Sequence, residues 1–152
     1  MKKITDFIIA FSLVGVVLSA YSFLHNQGFV SGEICTINAT FDCDIVNKGP
    51  FSDFFGVPVA IIGLVGYSLL LVGSILKRNQ MQDRMLTLFL LALASGGFGF
   101  SLYLTSVEAM ILRAWCVVCV MSQIMMIGII VSVFKLAYEE QQFSFLKKIF
   151  RR

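Results

Sequence analysis

Four long apolar stretches constrain this chain more than any other feature of its sequence. Each contains 20 to 23 residues, and together they supply 84 of the 152 residues: 4–24, 57–76, 85–107 and 115–134. About 20 apolar residues in an α-helix cross the roughly 30 Å hydrocarbon layer of a bilayer. The stretches show no period-two alternation, and backbone that faces lipid must satisfy its hydrogen bonds within its own helix. The sequence therefore predicts four transmembrane helices.

The composition excludes a soluble catalytic domain. Apolar residues make up 58% of the chain and charged residues only 14%, whereas soluble domains average about 45–50% and about 25%. Outside the predicted helices there remain one outer loop (25–56), two short connections and a basic tail (135–152). We therefore predict an all-α membrane protein, a single domain over residues 1–152 that forms a four-helix bundle.

The positions of the basic residues predict the orientation of this bundle. Ten of the 12 lysines and arginines lie at the N-terminus, in the second connection or in the tail, and only Lys48 and Arg113 lie elsewhere. By the positive-inside rule both termini are cytoplasmic, and the loops 25–56 and 108–114 face outward. The predicted outer loops carry the acidic residues Glu33, Asp42, Asp44, Asp53 and Glu108. Topology thus accounts for the net charge of +3, and no nucleic-acid partner is predicted.

Small residues recur at helical spacing on the second and third predicted helices. They are Gly63, Gly66 and Gly73 on the second helix, and Ala92, Ser95, Gly96 and Gly99 on the third. Such stripes let helix backbones approach closely in a membrane. Close packing explains them, and so does room for a flat ligand between the helices, so both interpretations stay open.

All four cysteines map to the predicted outer side. Cys35 and Cys43 lie in the long loop, and Cys116 and Cys119 lie at the start of the fourth helix. A structural zinc site usually takes its ligands in pairs separated by two to four residues, whereas seven residues separate the loop pair, so no metal site is predicted. A loop disulfide would suit a static staple as well as a redox pair.

The Cys116-Val-Val-Cys119 motif favours redox chemistry. A disulfide between residues three apart, at the start of a helix held by the bilayer, constrains the fold very little. The N-terminus of a helix favours thiolate, and the CxxC arrangement is associated with a lowered thiol pKa. We expect Cys116, the outermost, to exchange with other thiols, while Cys119 lies one turn deeper, within reach of an apolar redox partner. The two pairs together have the geometry of an electron relay.

The segment from Cys35 to Ala60, followed by Trp115-Cys-Val-Val-Cys119, resembles the bacterial vitamin K epoxide reductase (VKOR) family. The resemblance covers nearly the whole chain. The order of the cysteine pairs separates it from the analogous oxidase DsbB, which carries its CxxC motif before its loop pair. The resemblance implies a four-helix bundle around a quinone.

The same resemblance implies a DsbB-like thiol-quinone oxidoreductase of the bacterial inner membrane. It would re-oxidise a separate periplasmic thioredoxin-like (DsbA-like) protein and pass the electrons to ubiquinone or menaquinone. Cys35 would exchange with the partner, Cys43 would carry electrons to Cys116, and Cys119 would lie against the quinone. Two alternatives stay open: a vitamin K-type quinone or epoxide reductase that uses the same cysteines, and a non-enzymatic membrane scaffold with static disulfides.

Candidate quinone contacts lie near the same membrane level. Asn47, Ser52 and Gln123 are polar groups suited to hydrogen-bond a quinone oxygen. Phe55, together with Phe51 and Phe54, precedes the second helix at helical spacing, where these rings would cover a quinone pocket or anchor the chain at the membrane interface.

Overall fold

The fold is a bundle of four helices. The computed structural model describes residues 1–31, 46, 49, 52–113 and 115–150, with side chains as far as residue 141 in the last helix. The helices are α1 (Lys2–Asn26), α2 (Val59–Asn79), α3 (Arg84–Val107) and α4 (Val117–Phe150), and a π-helical segment (Glu108–Leu112) extends α3. All four helices are long and apolar enough to cross a membrane, which confirms the predicted four-helix membrane fold.

The helices form a ring in which α1 packs on α2 and α4, and α3 packs on α2 and α4. The buried core fills one half of the bundle: Ile8, Tyr67, Leu70, Leu90, Ala94, Met126, Ile129, Val133 and Leu136. Across the ring, the Tyr67 hydroxyl donates to the Ser122 carbonyl oxygen at 2.8 Å. Large apolar side chains such as Val17 and Val131 are each 61% exposed. A bilayer would cover these outward-facing side chains.

Ion pairs gather at the end of the bundle that holds the N-terminus. The N-terminal amine lies 3.0 Å from a Glu139 carboxylate oxygen, and Lys77 Nζ lies 3.0 Å from Glu140 Oε1. The buried Lys77 ammonium also donates to the Asp83 carbonyl oxygen at 2.8 Å. The N-terminus, the connection between α2 and α3 and the Glu139 region of α4 therefore share one end. Cys116, 23 residues before Glu139 on a helix that rises about 1.5 Å per residue, lies about 35 Å away at the other end.

The second helix begins two residues later than predicted. Val57 and Pro58 form strand β2, which pairs antiparallel with β1 (Asp53–Phe54). A proline disfavours helical backbone in the residue before it, so α2 starts only after Pro58. Phe55 and Gly56 connect the strands with φ values of 52° and 80°, as a two-residue hairpin turn requires.

The fourth helix also differs from the predicted bounds. It starts at Val117 instead of residue 115, because Cys116 occupies the capping position before its first turn. It continues as one helix to Phe150, through most of the segment predicted as a separate tail. Glu139 and Glu140, which bind the N-terminus and Lys77, lie on this extension and hold it to the bundle.

Candidate functional site

A cavity of about 380 Å³ occupies the half of the bundle opposite the buried core. Its wall is largely apolar, with residues such as Leu18, Ile62 and Phe100, and it carries hydroxyl groups from Ser19, Ser22, Ser52, Ser101, Thr105 and Ser122. Sites for small molecules typically measure about 300–1,000 Å³ and combine an apolar lining with a few polar groups. The cavity therefore fits a flat, lipid-soluble ring that carries hydrogen-bond acceptors.

The glycines on α2 and α3 have two roles: some allow close contact between helices, and others leave space at the cavity wall. A Cβ atom added to Gly63 would lie 3.0 Å from the Ser19 hydroxyl, and one added to Gly97 would lie 2.8 Å from the end of Met126. At Gly66 and Gly96, which also line the cavity, an added Cβ meets nothing within 4 Å. These two glycines therefore leave room at the cavity wall, while the others allow close contact between helices.

Cys116 caps the N-terminus of α4. Its carbonyl oxygen accepts a hydrogen bond from the Val120 peptide N–H at 3.0 Å. Its sulfur accepts hydrogen bonds from the peptide N–H groups of Val118 and Cys119, as a capping side chain does. We expected Cys116, as the outermost cysteine of the motif, to exchange with other thiols, and its side chain is 0% exposed. Val46, from the long loop, packs against it and shields it.

Cys119 lies one helical turn deeper and lines the cavity. Its thiol donates a hydrogen bond to the Cys116 sulfur. It also interacts by a hydrogen bond with the carboxylate of Glu108. The CxxC motif thus has one sulfur buried against Val46 and one sulfur at the cavity.

The pKa of Cys116 is lowered from its ordinary value. The largest cause is the hydrogen bond from the Cys119 thiol, and the peptide N–H groups of Cys119 and Val118 add to it. Burial and the negative charge of Glu108 oppose this shift. The donors outweigh these two effects because they converge on one sulfur at the positive end of a helix. Cys116 is therefore suited to act as a thiolate.

The structure brings only some of the predicted site residues to the cavity. Cys35, Cys43 and Asn47 lie outside the described residues. Ser52 lines the cavity. Gln123 accepts a hydrogen bond through Oε1 from the hydroxyl of Ser101, a residue of the cavity wall.

Phe55 is not brought to the cavity. It occupies the hairpin turn and its side chain is 94% exposed, because the positive φ values of the turn carry it away from the bundle. Its neighbour Phe54 packs edge-on against Phe100 of the cavity wall, with ring centroids 5.5 Å apart. Of these two phenylalanines, which we expected to act together, Phe54 is therefore the one that packs against a residue of the cavity wall.

Two residues of the site, Glu108 and Tyr67, were not identified as site residues from the sequence. Glu108 was assigned to an outer loop, but it is 4% exposed and lines the cavity. Tyr67 also lines the cavity. Its hydroxyl oxygen lies 2.9 Å from the Ser122 hydroxyl oxygen, and the two side chains are hydrogen-bonded. A sequence signal existed for Glu108 only, as a single acidic residue at the end of an apolar stretch just before a CxxC motif.

A four-helix membrane bundle with a dithiol at the edge of an apolar cavity defines a class: membrane proteins in which cysteines meet a lipid-soluble redox partner. The sequence model of the vitamin K epoxide reductase family matches residues 7–134, so the chain belongs to this family. Its members are membrane oxidoreductases that use cysteines and quinone. Comparison with curated proteins finds no match to this chain.

Proposed function

We propose that this protein is a thiol-quinone oxidoreductase of the bacterial inner membrane. It re-oxidises a separate periplasmic thioredoxin-like protein that forms disulfides, and it passes the electrons to ubiquinone or menaquinone. The observation that carries this proposal is the position of the CxxC motif, with Cys119 in the wall of the cavity and Cys116 buried against Val46.

The position of Val46 supports electron transfer from the loop pair to the CxxC motif. Val46 packs against Cys116 and follows Cys43 by three residues in the sequence. Three residues of chain span at most about 11 Å. Cys43 itself lies outside the described residues, and its transfer of electrons to Cys116 is part of the proposal.

The relay transfers two electrons at each step by thiol-disulfide exchange. The reduced partner converts the Cys35–Cys43 disulfide to a dithiol and becomes a disulfide itself. The Cys43 thiolate then attacks the Cys116 sulfur of a Cys116–Cys119 disulfide, and Cys119 leaves as a thiolate. Cys35 next attacks Cys43, which restores the loop disulfide and releases Cys116. A thiol with a low pKa leaves faster, so the hydrogen bonds to Cys116 favour this last step.

The quinone fits the residues present. The Ser52 hydroxyl would donate a hydrogen bond to one of its oxygens, and the apolar wall would hold its ring. When bound, it supplies the oxidant for the Cys116/Cys119 dithiol. The protein's own part is to place a dithiol beside the ring, keep bulk water out and manage the thiol protons.

Reconstitution tests the relay. In liposomes that contain ubiquinone or menaquinone, a reduced thioredoxin-like protein should be oxidised and the quinone reduced, as followed by absorbance. Cys116→Ala and Cys119→Ala should each abolish quinone reduction. Ser106→Ala should retain it, since the exposed Ser106 hydroxyl donates to the Leu102 carbonyl oxygen of its own helix at 2.8 Å and Ser106 does not line the cavity.

Three outcomes would contradict the proposal. Full activity in either cysteine variant would refute the relay. A chain that stays reduced when quinone is returned would be a scaffold with static disulfides. Reduction of a vitamin K epoxide by the dithiol, without oxidation of a protein partner, would favour the epoxide reductase.

The roles of the two loop cysteines are tested by trapping the partner. Cys43→Ala should trap the partner on Cys35 as a mixed disulfide, and trapping on Cys43 in a Cys35→Ala chain would reverse the two roles.

A further inference from the structure

Glu108 is an acidic side chain buried where a membrane protein rarely places one. It is the first residue of the π-helical segment that extends α3, inside the helix long and apolar enough to span the membrane. Its side chain is 4% exposed and lines the same cavity as Cys119. Ionisable residues inside membrane segments are costly, and they usually mark ion or proton pathways.

The contacts of Glu108 connect it to both cysteines of the CxxC motif. Its carboxylate accepts a hydrogen bond from the peptide N–H of Cys116, and together with the Cys116 sulfur it is one of two acceptors available to the single thiol proton of Cys119. Among the described residues, no lysine or arginine forms an ion pair with it. A buried charge without a cationic partner is expensive unless its protonation changes. The Cys119 thiol is a hydrogen-bond partner of this carboxylate, so its proton can transfer to Glu108 directly.

Comparison with glutamine separates the two properties of Glu108, namely hydrogen bonding and proton uptake. A glutamine carbonyl oxygen accepts the same hydrogen bonds and fills the same volume, but it takes up no proton. A π-helical turn is an irregular element often found at functional sites. Here it places the carboxylate beside Cys119 in the wall of the same cavity, which is a suitable position for a proton carrier.

We propose that Glu108 is a catalytic residue that accepts the thiol proton of Cys119 when the CxxC dithiol is oxidised, an inference that rests on the proposed function. The S–H bond breaks, its electron pair stays on sulfur, and an O–H bond forms on Glu108. Disulfide formation between Cys116 and Cys119 then releases two electrons to the quinone. Formation of the hydroquinone consumes two protons, one from Glu108 and one from water at the outer face.

Glu108→Gln tests this proposal with the reconstituted full chain. Quinone-dependent oxidation of the CxxC dithiol should slow by about 100-fold or more, the usual effect of losing a general acid or base. Glu108→Asp, which keeps a carboxylate on a shorter side chain, should restore part of the rate. Asp53→Asn is the matched control, since it removes an exposed carboxylate that has no part in the site, and its rate should equal that of the unaltered chain.

A second readout does not depend on quinone. In a Cys35→Ala/Cys43→Ala chain, ultraviolet absorbance of thiolate reports only the CxxC pair. The negative charge of Glu108 raises the pKa of Cys116, so Glu108→Gln should move the midpoint of the titration to lower pH. The variant would thus form thiolate more readily and yet pass electrons more slowly, a combination that a purely structural role does not produce.

Two results would overturn the proposal: a Glu108→Gln chain that reduces quinone at the unaltered rate, or a titration midpoint that does not move. Failure of the proposed function gives a different result. In that case the unaltered chain itself reduces no quinone, while the titration still reports the contact between Glu108 and Cys116. Thermal unfolding in detergent, compared between Glu108→Gln and Glu108→Asp, separates loss of folding from loss of proton transfer.

Discussion

At the scale of single residues, the chemistry depends on how one sulfur is surrounded. Cys116 combines complete burial with three hydrogen-bond donors, namely the Cys119 thiol and the peptide N–H groups of Cys119 and Val118. Burial alone would favour the neutral thiol. The donors reverse this preference because each is fixed by the first turn of α4 and needs no reorganisation when the charge forms.

We expect the ionisation of Cys116 to depend on the Cys119 side chain. Cys119→Ala removes the donor that lowers the pKa of Cys116 most, so the thiolate titration should move up toward the ordinary value of about 8.5. Cys119→Ser keeps a hydroxyl donor and should retain most of the lowered pKa. Thiolate absorbance against pH, measured in a chain without Cys35 and Cys43, checks both variants.

The sign of the shift fixes how stability depends on pH. Because folding lowers the pKa of Cys116, the thiolate stabilises the fold above the ordinary cysteine pKa, and this contribution is lost as pH falls through the lowered value. The prediction on the Cys119 variants has its own contrary outcome. If Cys119→Ala and Cys119→Ser gave identical titrations, the helix N-terminus alone would set the pKa of Cys116.

The spacing of the cysteines makes the CxxC motif a candidate site, but the sequence could not predict how its surroundings fold. A cysteine at a helix N-terminus is readable from the chain because the helix start and the thiol are local features. The burial of Cys116 beneath Val46 and of Glu108 beside Cys119 results from contacts between distant segments. From sequence alone, an acidic residue at the end of an apolar stretch is predicted to lie in a loop, because its contacts with distant residues are not known.

At the scale of elements, apolar length predicted the helices well and local chemistry set their ends. The four predicted spans each fall on a helix, since no other structure satisfies backbone groups over such lengths in lipid. The ends moved by a few residues where a specific side chain intervened. The second helix begins only after Pro58, and the fourth begins only after Cys116. The Asp83 carboxylate caps α3 by accepting a hydrogen bond from the Met85 N–H at 2.9 Å.

The contact between α1 and α2 depends on the absence of a side chain at Gly15. A Cβ atom added there would lie 2.2 Å from Tyr67 Cδ1 and 2.6 Å from Tyr67 Cγ, too close for the ring to avoid by a small movement. Gly15→Ala should therefore destabilise the bundle by about 1–3 kcal/mol. Unfolding in detergent micelles measures this loss.

Gly99→Ala is the matched control for this prediction. An added Cβ at Gly99 meets nothing within 4 Å, and this residue does not line the cavity. Its stability should remain close to that of the unaltered chain. Equal stability of the two alanine variants would show that α1 and α2 separate without cost at this contact.

At the scale of the whole molecule, the two ends of the bundle have different chemistry. One end holds the N-terminus and the buried Lys77–Glu140 pair, and the other holds the dithiol, with Cys119 in the cavity wall. About 35 Å of helix separates Cys116 from Glu139, slightly more than the hydrocarbon thickness of about 30 Å. An electron donor in water and an acceptor in lipid can therefore both reach the same end without crossing the membrane.

The charge distribution predicts which end faces the periplasm, and cysteine labelling tests it. With the four native cysteines replaced by alanine, Asp53→Cys places an exposed thiol beside the dithiol end, and Gln82→Cys places one in the connection between α2 and α3. A membrane-impermeant maleimide should label the first in intact cells and the second only after permeabilisation. Labelling of Gln82→Cys in intact cells would place Cys116 at the cytoplasmic face, where thiols are kept reduced. A periplasmic thioredoxin-like partner would then have no access to the relay.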